Sequence, residues 1–504
     1  MKRVLFVIML GVSATLEDPM PGFSRAYLSE DDSPSTAALQ EQLKALEQRV
    51  QTLEKLLKSQ SWNACGPATE ADRPSVPSPE AARLEDLDKK PATPEGRLVP
   101  EQKDAETKKK DSPIAGAGAN GFSLTSPDGD FNLKVRAHFQ ADGRFFAGDA
   151  ADTSASTFAT RVARLLFEGT LARYFDFRFM PDFAGGRLVL QDAYMDVRFL
   201  PQIRLRAGKF KTPFGLERLQ QEVNLSLVER ALPNNLVPNR DLGIQVHGDL
   251  FGGVLNYMGG VFNGVPDGAS ADQDNQDSKD YAGRIFAQPF LKTEIHALRG
   301  LGIGMAATSG SHHGTSAAPS LPSYLTTGQS TFFSYRSDGT KDGTAIADGR
   351  LSRLSPQAYY HWGPFGRLAE HVISSQAVRK GDIRARLDQN ASQVALTYVL
   401  SGENASYSGV VPKRSLDPRA RTWGASEVAA RYSELNVDKN AFPLFANSSV
   451  SARKARAWAG GLNWYFNRNV KFVVNYEQTF FKEGGLVGNR QTEKAVMTRF
   501  QLAY

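Results

Sequence analysis

Arginine and lysine side chains recur singly along several segments of this chain, and their chemistry can be assigned from residue type alone. A guanidinium stays charged at every physiological pH and presents a planar fork of donors to tetrahedral oxyanions, whereas a lysine ammonium supplies a hydrated point charge. These cations predict the binding of small anions. The candidate residues are Arg161, Arg164, Lys209, Lys211, Arg218, Arg230, Arg240, Lys134, Arg136, Arg204 and Arg206.

The sequence carries no pattern typical of catalysis, of a metal site or of a cofactor site. It has no G-x-S-x-G, H-E-x-x-H, P-loop or G-x-G-x-x-G motif in a suitable context. The acidic run 272–280 has Asp277 where an EF-hand requires glycine, and His312 with His313 is too little for a defined metal site. A single cysteine, Cys65, excludes a disulfide framework. We therefore predict a protein without catalytic residues, metal or cofactor.

The elements that carry the cations are predicted to be β-strands with one apolar and one polar face. Residues 131–144 alternate strictly between the two classes, and shorter copies of this pattern occur at 175–179, 203–207 and 462–466. No run of about 18 apolar residues could cross a bilayer as a helix. Because lipid offers no hydrogen-bond partners, strands that cross it must form a closed sheet. Cations spaced along the polar faces would then line the interior: Lys134, Arg136, Arg178, Arg198, Arg204 and Arg206.

The connections support an all-β fold, a transmembrane antiparallel β-barrel of about 16 strands that spans residues 121–504. Short turns at 172–174, 200–202, 250–253, 363–366 and 467–469 alternate with longer loops at 148–157, 212–240 and 263–280. The loop 212–240 follows the fifth predicted strand and has an apolar middle, so we predict that it folds inward and constricts the lumen. The chain ends in an alternating segment with a terminal aromatic residue, Tyr504, a pattern typical of outer-membrane barrels.

Three segments precede the barrel. Residues 1–14 resemble a short secretory signal, with a second possible cleavage site near Ser24 to Ala26. Residues 35–60 carry a leucine seam with 4,3 spacing, which predicts a short α-helical coiled coil or, alternatively, one amphipathic helix packed on a neighbouring domain. Residues 61–120 are rich in Pro, Ala, Glu and Lys and predict a disordered linker.

Charge is distributed unequally between these regions. From Phe131 onward there are 44 Lys and Arg against 33 Asp and Glu, whereas residues 1–130 have 16 against 21. The positive surplus of the barrel is spread singly along strands and forms no clustered patch, so we predict no nucleic-acid partner.

Several stretches resemble the phosphate-selective porin O and P family. They are LQDAYMDVRF (190–199), LRAGKFKTPFGLERLQ (205–220), VERALPNNLVPNRDLGIQVHGDL (228–250), GGVFNGVPDG (259–268) and GLNWYFNRNVKFVVNYEQTFF (461–481). The resemblance implies a trimeric porin of 16 strands with a lumenal loop and a cationic path for phosphate or polyphosphate. It covers the barrel and leaves out the coiled coil and the linker.

Two details bear on the anion site. The resemblance implies paired arginines near the start of the second barrel strand, but here Arg161 and Arg164 are separated by two residues, which on a regular strand would point them to opposite faces. Interior cations could also pair with carboxylates that organise the wall, and Asp176, Asp192 and Asp196 are the candidate partners.

Together these features predict passive diffusion of phosphate-like anions through a homotrimeric channel in the outer membrane of a Gram-negative-type bacterium. The N-terminal region would then be periplasmic and could contact the cell wall. Three alternatives stay open at this point: a general or sugar-conducting porin, an outer-membrane hydrolase, and an anchor that tethers the membrane to peptidoglycan through residues 35–120.

Overall fold

A computed structural model describes residues 112–148, 155–272 and 277–504, and nearly all of the regular structure there is β. The strands are β1 (Ile114–Gly118), β2 (Gly121–Thr125), β3 (Asn132–Phe146), β4 (Thr157–Leu171), β5 (Phe175–Asp182), β6 (Val189–Leu200), β7 (Ile203–Lys211), β8 (Arg240–Leu250), β9 (Leu255–Phe262), β10 (Asp280–Ala287), β11 (Leu301–His313), β12 (Tyr324–Leu325), β13 (Thr331–Phe333), β14 (Ile346–Trp362), β15 (Phe365–Lys380), β16 (Ile383–Val399), β17 (Leu416–Asp417), β18 (Thr422–Trp423), β19 (Ala425–Asn436), β20 (Ala452–Tyr465), β21 (Val470–Glu483) and β22 (Glu493–Ala503). One short α-helix (Leu216–Leu219) accompanies 3₁₀ turns at Ala184–Gly186, Glu222–Asn224, Leu232–Leu236, His296–Leu298 and Lys439–Ala441.

Sixteen of these strands form a closed antiparallel barrel, as predicted. They are β3–β11, β14–β16 and β19–β22, each paired with its neighbour in the chain. The barrel closes where β22 pairs with β3, for example at Leu502 and Phe139. Leu502 and Phe139 are also among the apolar side chains that remain exposed, because alternation points them to the outside of the barrel.

A small hairpin formed by β1 and β2 extends the sheet beside the first residues of β3. β2 pairs with the first residues of β3, with Phe122 opposite Val135, and β1 pairs with β2. β1 lies in residues that the sequence assigned to the linker, so regular structure begins before the predicted barrel boundary at residue 121. The predicted signal at 1–14 and coiled coil at 35–60 lie outside the described residues. Within the described part, no helix is long and apolar enough to cross a membrane.

The two ends of the barrel differ in their connections. At one end, here called the turn end, β4–β5, β6–β7, β8–β9, β14–β15 and β20–β21 are joined by two to four residues, at the predicted turn positions. The opposite end, here called the loop end, carries the longer connections at 147–156, 212–239, 263–279 and 314–345. Two turn-end connections depart from this rule, at 288–300 and 400–424.

Residues 212–239, which connect β7 with β8, are here called the crossing loop because they pass from one wall of the barrel to the other. On the near side Arg161 of β4 contacts Glu229 of the loop. On the far side the backbone N–H of Leu216 donates to Glu370 of β15 at 2.6 Å, and Arg431 of β19 contacts Glu217. The prediction of an inward-folded constriction loop is therefore confirmed.

Apolar packing fills the half of the lumen next to β14–β20. Phe214 and Leu236 of the crossing loop are fully buried and belong to one cluster with Tyr324 and Phe333, which lie in the hairpin β12–β13. From the turn end, segment 400–424 enters the same half, where the Tyr407 hydroxyl donates to the carbonyl of Leu216 at 2.6 Å. Because the apolar cluster and segment 400–424 occupy this half of the lumen, the half next to β3–β9 is the more open side.

Candidate functional site

Two cavities lie on the two sides of the crossing loop. The first has a volume of about 200 Å³ and faces the turn end, between the loop and strands β3–β9. The second has a volume of about 400 Å³ and faces the loop end, where Pro266, Pro322 and Gln329 from other loops contribute to its lining. An ion that crosses the barrel along its open side meets both cavities and the loop between them.

The first cavity is lined by six cations and two carboxylates. The cations are Arg136, Arg164, Arg178, Arg206, Lys211 and Arg240, and the carboxylates are Asp192 and Glu222. Eight of the eleven candidate anion-binding residues line one of the two cavities, and the strands place most of them in register on the inner face of the wall. The cavity is therefore a cationic site with a partial internal counter-charge.

Cross-strand ion pairs organise the strand cations, as the alternative in the sequence analysis anticipated. Arg136 and Arg178 share Glu168 at 3.0 and 2.9 Å. Arg206 pairs with Asp196 at 2.6 Å and lies 4.4 Å from the ring centroid of Tyr194. Half-exposed pairs of this kind contribute little net stability, but they hold each guanidinium in one orientation.

Arg198 also forms a cross-strand ion pair, nearer the turn end, with Asp176 at 2.9 Å. Lys134 and Arg204 are the other two cations that were predicted to line the interior. Lys134 is exposed and lies two residues before Arg136 on the same face of β3. Arg204 is half-buried opposite His247, and its buried Nε has no hydrogen-bond partner among the described residues. A passing anion or water could satisfy this donor.

The expectation that Arg161 and Arg164 point to opposite faces is wrong, because β4 contains a β-bulge at this point. Gln140 of β3 pairs with Val162, and the next residue, Ala141, pairs with Thr160. Arg161 is therefore an extra residue that has no cross-strand backbone partner on β3. The extra residue shifts the alternation by one position. Arg161 consequently reaches Glu229 at 3.0 Å, and Arg164 reaches Asp182 at 2.6 Å and Glu222, so both arginines face the crossing loop.

Lys209, Lys211 and Arg240 lie where the crossing loop leaves and rejoins the wall. Lys211 donates to the carbonyls of Arg218 and Gln220, at 2.7 and 3.0 Å. Arg240 pairs with Asp192 at 2.7 Å. Lys209 is buried and pairs with Asp272 of the loop-end connection 263–279. Lys211 and Arg240 thus combine a structural role with a position in the first cavity, whereas Lys209 contacts neither cavity.

Arg218 and Arg230 lie on the crossing loop and fold back onto its own backbone. Arg218 donates to the carbonyl of Asn234 at 2.8 Å, and Arg230 donates to the carbonyls of Glu217 and Gln220 at 3.2 and 3.0 Å. Burial lowers the pKa of Arg218 to about 9, and the nearby charge of Arg230 acts in the same direction. These two arginines therefore hold the shape of the loop while they line the second cavity.

The crossing loop brings three glutamates to the site that were not among the residues predicted from the sequence. Glu229 contacts Arg161, and Glu217 contacts Arg431 of β19. Glu222 lies among Arg164, Arg230 and other cations, which hold its pKa well below the usual range although burial opposes this shift. The signal was present as three carboxylates within a loop already assigned to the lumen.

These carboxylates decide how strongly the site can hold an anion. A free anion must compete with Glu222 and Asp182 for the Arg164 guanidinium and with Asp196 for the Arg206 guanidinium. Each cation is then a modest site, and several modest sites in series let an ion enter and leave. In the described residues no group of three or more His, Cys, Asp or Glu side chains is arranged to hold a metal ion.

A closed 16-stranded barrel with an apolar exterior and a charged, loop-constricted lumen defines the class of outer-membrane porins. The chain belongs to the family described as phosphate-selective porin O and P, whose sequence pattern matches residues 131–504. A related protein is Porin O of Pseudomonas aeruginosa, which is 25% identical over 382 residues, 71% of this chain and 84% of the relative.

Similar solved structures include other outer-membrane channels. The channel DcaP of Acinetobacter baumannii aligns with a TM-score of 0.48 and 11% identity, over 78% of this chain and all of that one. The anion-selective porin from Comamonas acidovorans aligns with a TM-score of 0.46 and 11% identity, over 74% of this chain and 99% of that one.

Proposed function

We propose that this porin is an anion-selective channel that admits phosphate or polyphosphate by passive diffusion across the outer membrane. The observation that carries the proposal is the cavity beside the crossing loop, with six cations and two carboxylates in its lining. A surplus of fixed positive charge in a narrow, water-filled space concentrates anions and repels cations. The loop end would face the exterior, because outer-membrane barrels have their short turns in the periplasm.

The high proportion of arginine in the first cavity supports phosphate as the preferred ion among small anions. Five of the six cations in the first cavity are arginines, whose forked donors match tetrahedral oxyanions better than they match chloride. Phosphate would pass between guanidiniums that are already oriented by carboxylates, and would exchange one partner for the next. Because no chemical step is involved, the proposed transport requires neither a catalytic group nor a cofactor.

Reversal potentials in a planar bilayer under a KCl gradient test the anion selectivity. The double variant Arg178→Gln/Arg206→Gln leaves Glu168 with Arg136 and Asp196 with His247, so no buried carboxylate is stranded. We expect the chloride-to-potassium permeability ratio to fall about fifteenfold, since two charges roughly 10 Å away in water each favour the anion and disfavour the cation by about 0.4 kcal/mol. A cation-selective wild-type current would contradict the proposal.

The matched control removes two arginines from the outside of the barrel, Arg384→Gln/Arg386→Gln. Both side chains are exposed on β16 and line neither cavity, so the permeability ratio should stay at the wild-type value. Phosphate is tested separately by adding it to a chloride current. We expect wild-type chloride current to fall as phosphate occupies the cationic cavity, and an unreduced current would reject phosphate as the preferred ion.

A general or sugar-conducting porin is the competing function. It would conduct chloride with little selectivity, and added phosphate would leave its current unchanged, whereas an oligosaccharide would block it. An anchoring role through residues 35–120 is compatible with transport and concerns a different part of the chain. We propose that this N-terminal region is periplasmic and contacts the cell wall, and that the barrel assembles as a homotrimer.

A further inference from the structure

The wall of the barrel is uneven in height, and its tall side carries cations that the channel does not use. β9 and β10 have 8 residues each, whereas β14 and β16 have 17 and β15 has 16. A strand needs about 9 to 11 residues to cross the hydrocarbon layer at its usual tilt. The tall strands therefore extend several residues beyond the membrane at the loop end.

The outward face of β16 changes from apolar to polar along its length. Val394, Leu396 and Tyr398 are 50, 42 and 47% exposed, as expected for side chains in contact with lipid. Ten residues counted from Val399 end at Asn390, whose side-chain oxygen accepts from Asn436 of β19 at 3.0 Å. This position coincides with the upper limit of the hydrocarbon layer.

Four arginines lie above this limit on the outside of the barrel. Arg386 and Arg384 of β16 are four and six residues beyond Asn390, about 10 to 15 Å above it for a strand tilted by roughly 40°. Arg379 of β15 is the cross-strand partner of Arg384, and Arg350 of β14 lies two residues from Ser352, which Arg386 contacts. We call these four residues the outer arginine patch.

The contacts of the patch show that it points away from the lumen. Arg386 donates to Ser375 at 2.7 Å and to Ser352 at 3.0 Å, and both serines alternate with residues that face inward. Ser374, for example, donates to Asp267 of a lumenal loop. The patch is thus separated from both cavities by the thickness of the wall.

Positive charge exceeds negative charge in the patch. Asp348 pairs with Arg379 at 3.0 Å and with Arg384 at 3.2 Å, and Asp388 accepts from Ser375. Four arginines therefore face two aspartates. The Arg384 side chain is 74% exposed, and among the described residues no carboxylate forms an ion pair with Arg350 or Arg386.

We propose that the outer arginine patch binds the phosphorylated headgroups of anionic lipid in the outer leaflet. Charge complementarity and height both support this partner, because the patch lies directly above a lipid-facing surface. Clusters of arginine and lysine beside a bilayer attract anionic headgroups, and each guanidinium can bind a phosphate through two parallel hydrogen bonds. The patch faces the membrane rather than the channel, so the proposal is independent of anion transport.

Binding of bisphosphorylated lipid A to the purified full-length protein, in mixed micelles with an uncharged detergent, tests this proposal. We expect Arg384→Gln/Arg386→Gln to weaken binding about thirtyfold, since each cation near an anionic headgroup strengthens binding roughly fivefold. The matched control, Arg419→Gln/Arg421→Gln, removes two exposed arginines near the turn end and should bind like wild type. Lipid A with its phosphates removed should bind wild type as weakly as the phosphorylated lipid binds the patch variant.

Four outcomes would overturn the proposal. The first is binding by the patch variant within twofold of wild type, and the second is equal binding of the phosphate-free lipid. The third is a changed number of subunits in the patch variant with unchanged lipid binding, which would assign the surface to contacts between copies. Excess inorganic phosphate should leave lipid binding intact, and displacement of the lipid would assign the patch to free phosphate. Bilayer conductance of the patch variant stays at the wild-type level in every case, so failure here leaves the transport proposal standing.

Discussion

Glu222 occupies the position in which a transported anion would meet the largest number of cations. It contacts Arg164 and lies 3.6 Å from Arg230, and its carboxylate lines the first cavity. A phosphate that enters this cavity competes with a carboxylate held on the protein itself. If the proposed transport is correct, Glu222 limits the residence time of the ion and lowers its affinity.

Replacement of this glutamate should consequently tighten anion binding. In Glu222→Gln the glutamine still accepts hydrogen bonds from Arg164, but one negative charge leaves the cavity, so we expect the phosphate concentration that halves the chloride current to fall by about tenfold. This corresponds to about 1.4 kcal/mol, a typical attraction between charges a few ångströms apart at a partly wet site. The measurement is a phosphate titration of single-channel chloride current.

Glu294→Gln is the matched control for this titration. Glu294 is 94% exposed in the turn-end connection 288–300, and the same change of charge there should leave the phosphate titration unaffected. Equal titrations for Glu222→Gln and wild type would show that Glu222 does not compete with the transported anion.

The sequence predicted the types of the site residues better than their partners. Alternation identified Arg136, Arg178 and Arg206 as inward-facing, because a period of two is a local property of the strand. It could not reveal the bulge at Arg161, since one additional residue leaves the composition of β4 unchanged. Nor could it pair Glu217 with Arg431, because 214 residues separate them and the contact exists only in the closed barrel.

The crossing loop acts as a single element whose shape depends on side chains that bind backbone. Arg230 connects the carbonyls of Glu217 and Gln220, and the Glu217 carboxylate accepts from the backbone N–H of Ala231 at 2.9 Å and from Asn234 at 2.6 Å. These contacts join the two halves of the loop across the lumen. The width of the constriction is therefore set within the loop as well as by the wall.

Arg230→Lys should widen the constriction although it keeps the charge. A lysine ammonium cannot reproduce the planar fork that reaches both carbonyls, and loss of hydrogen bonds to a charged group costs about 2 kcal/mol. We expect larger and noisier single-channel conductance, together with faster proteolysis of the loop. Arg204→Lys is the control: this lumenal arginine lies opposite His247 and forms no hydrogen bond to the crossing loop among the described residues, so its conductance noise should remain at the wild-type level.

The positions of strands could be predicted from the sequence where short turns join them. The five predicted turns and the inward loop after the fifth barrel strand are present, because tight connections and long ones differ in composition over a few residues. Segment 400–424 departed from the expected pattern of short turn-end connections. Its inward position depends on packing of Ala405 and Val410 against Tyr465, and such distant contacts leave no local signal.

At the scale of the whole molecule, the leucine seam at 35–60 predicts a coiled coil, and we propose that it takes part in assembly of the trimer. We expect deletion of residues 35–60 to lower the yield of trimer in cross-linking and size-exclusion experiments, because the seam would no longer join the subunits. Deletion of the equally long linker segment 66–91 is the control and should preserve the yield. An unchanged trimer after both deletions would remove the proposed role of the coil.

The crossing loop also has a consequence for the order in which the molecule is completed. Its partners on β21 and β22, such as Asn475 and Gln501, follow it by 247 and 278 residues. Contacts this distant in sequence form slowly, and these require the last two strands of the barrel to be in place. The crossing loop should therefore reach its final position after the barrel wall has closed. A newly closed barrel would then be a wide, unselective pore for a short time. Protease protection of the loop that lags behind barrel closure during refolding would be the sign of this late step.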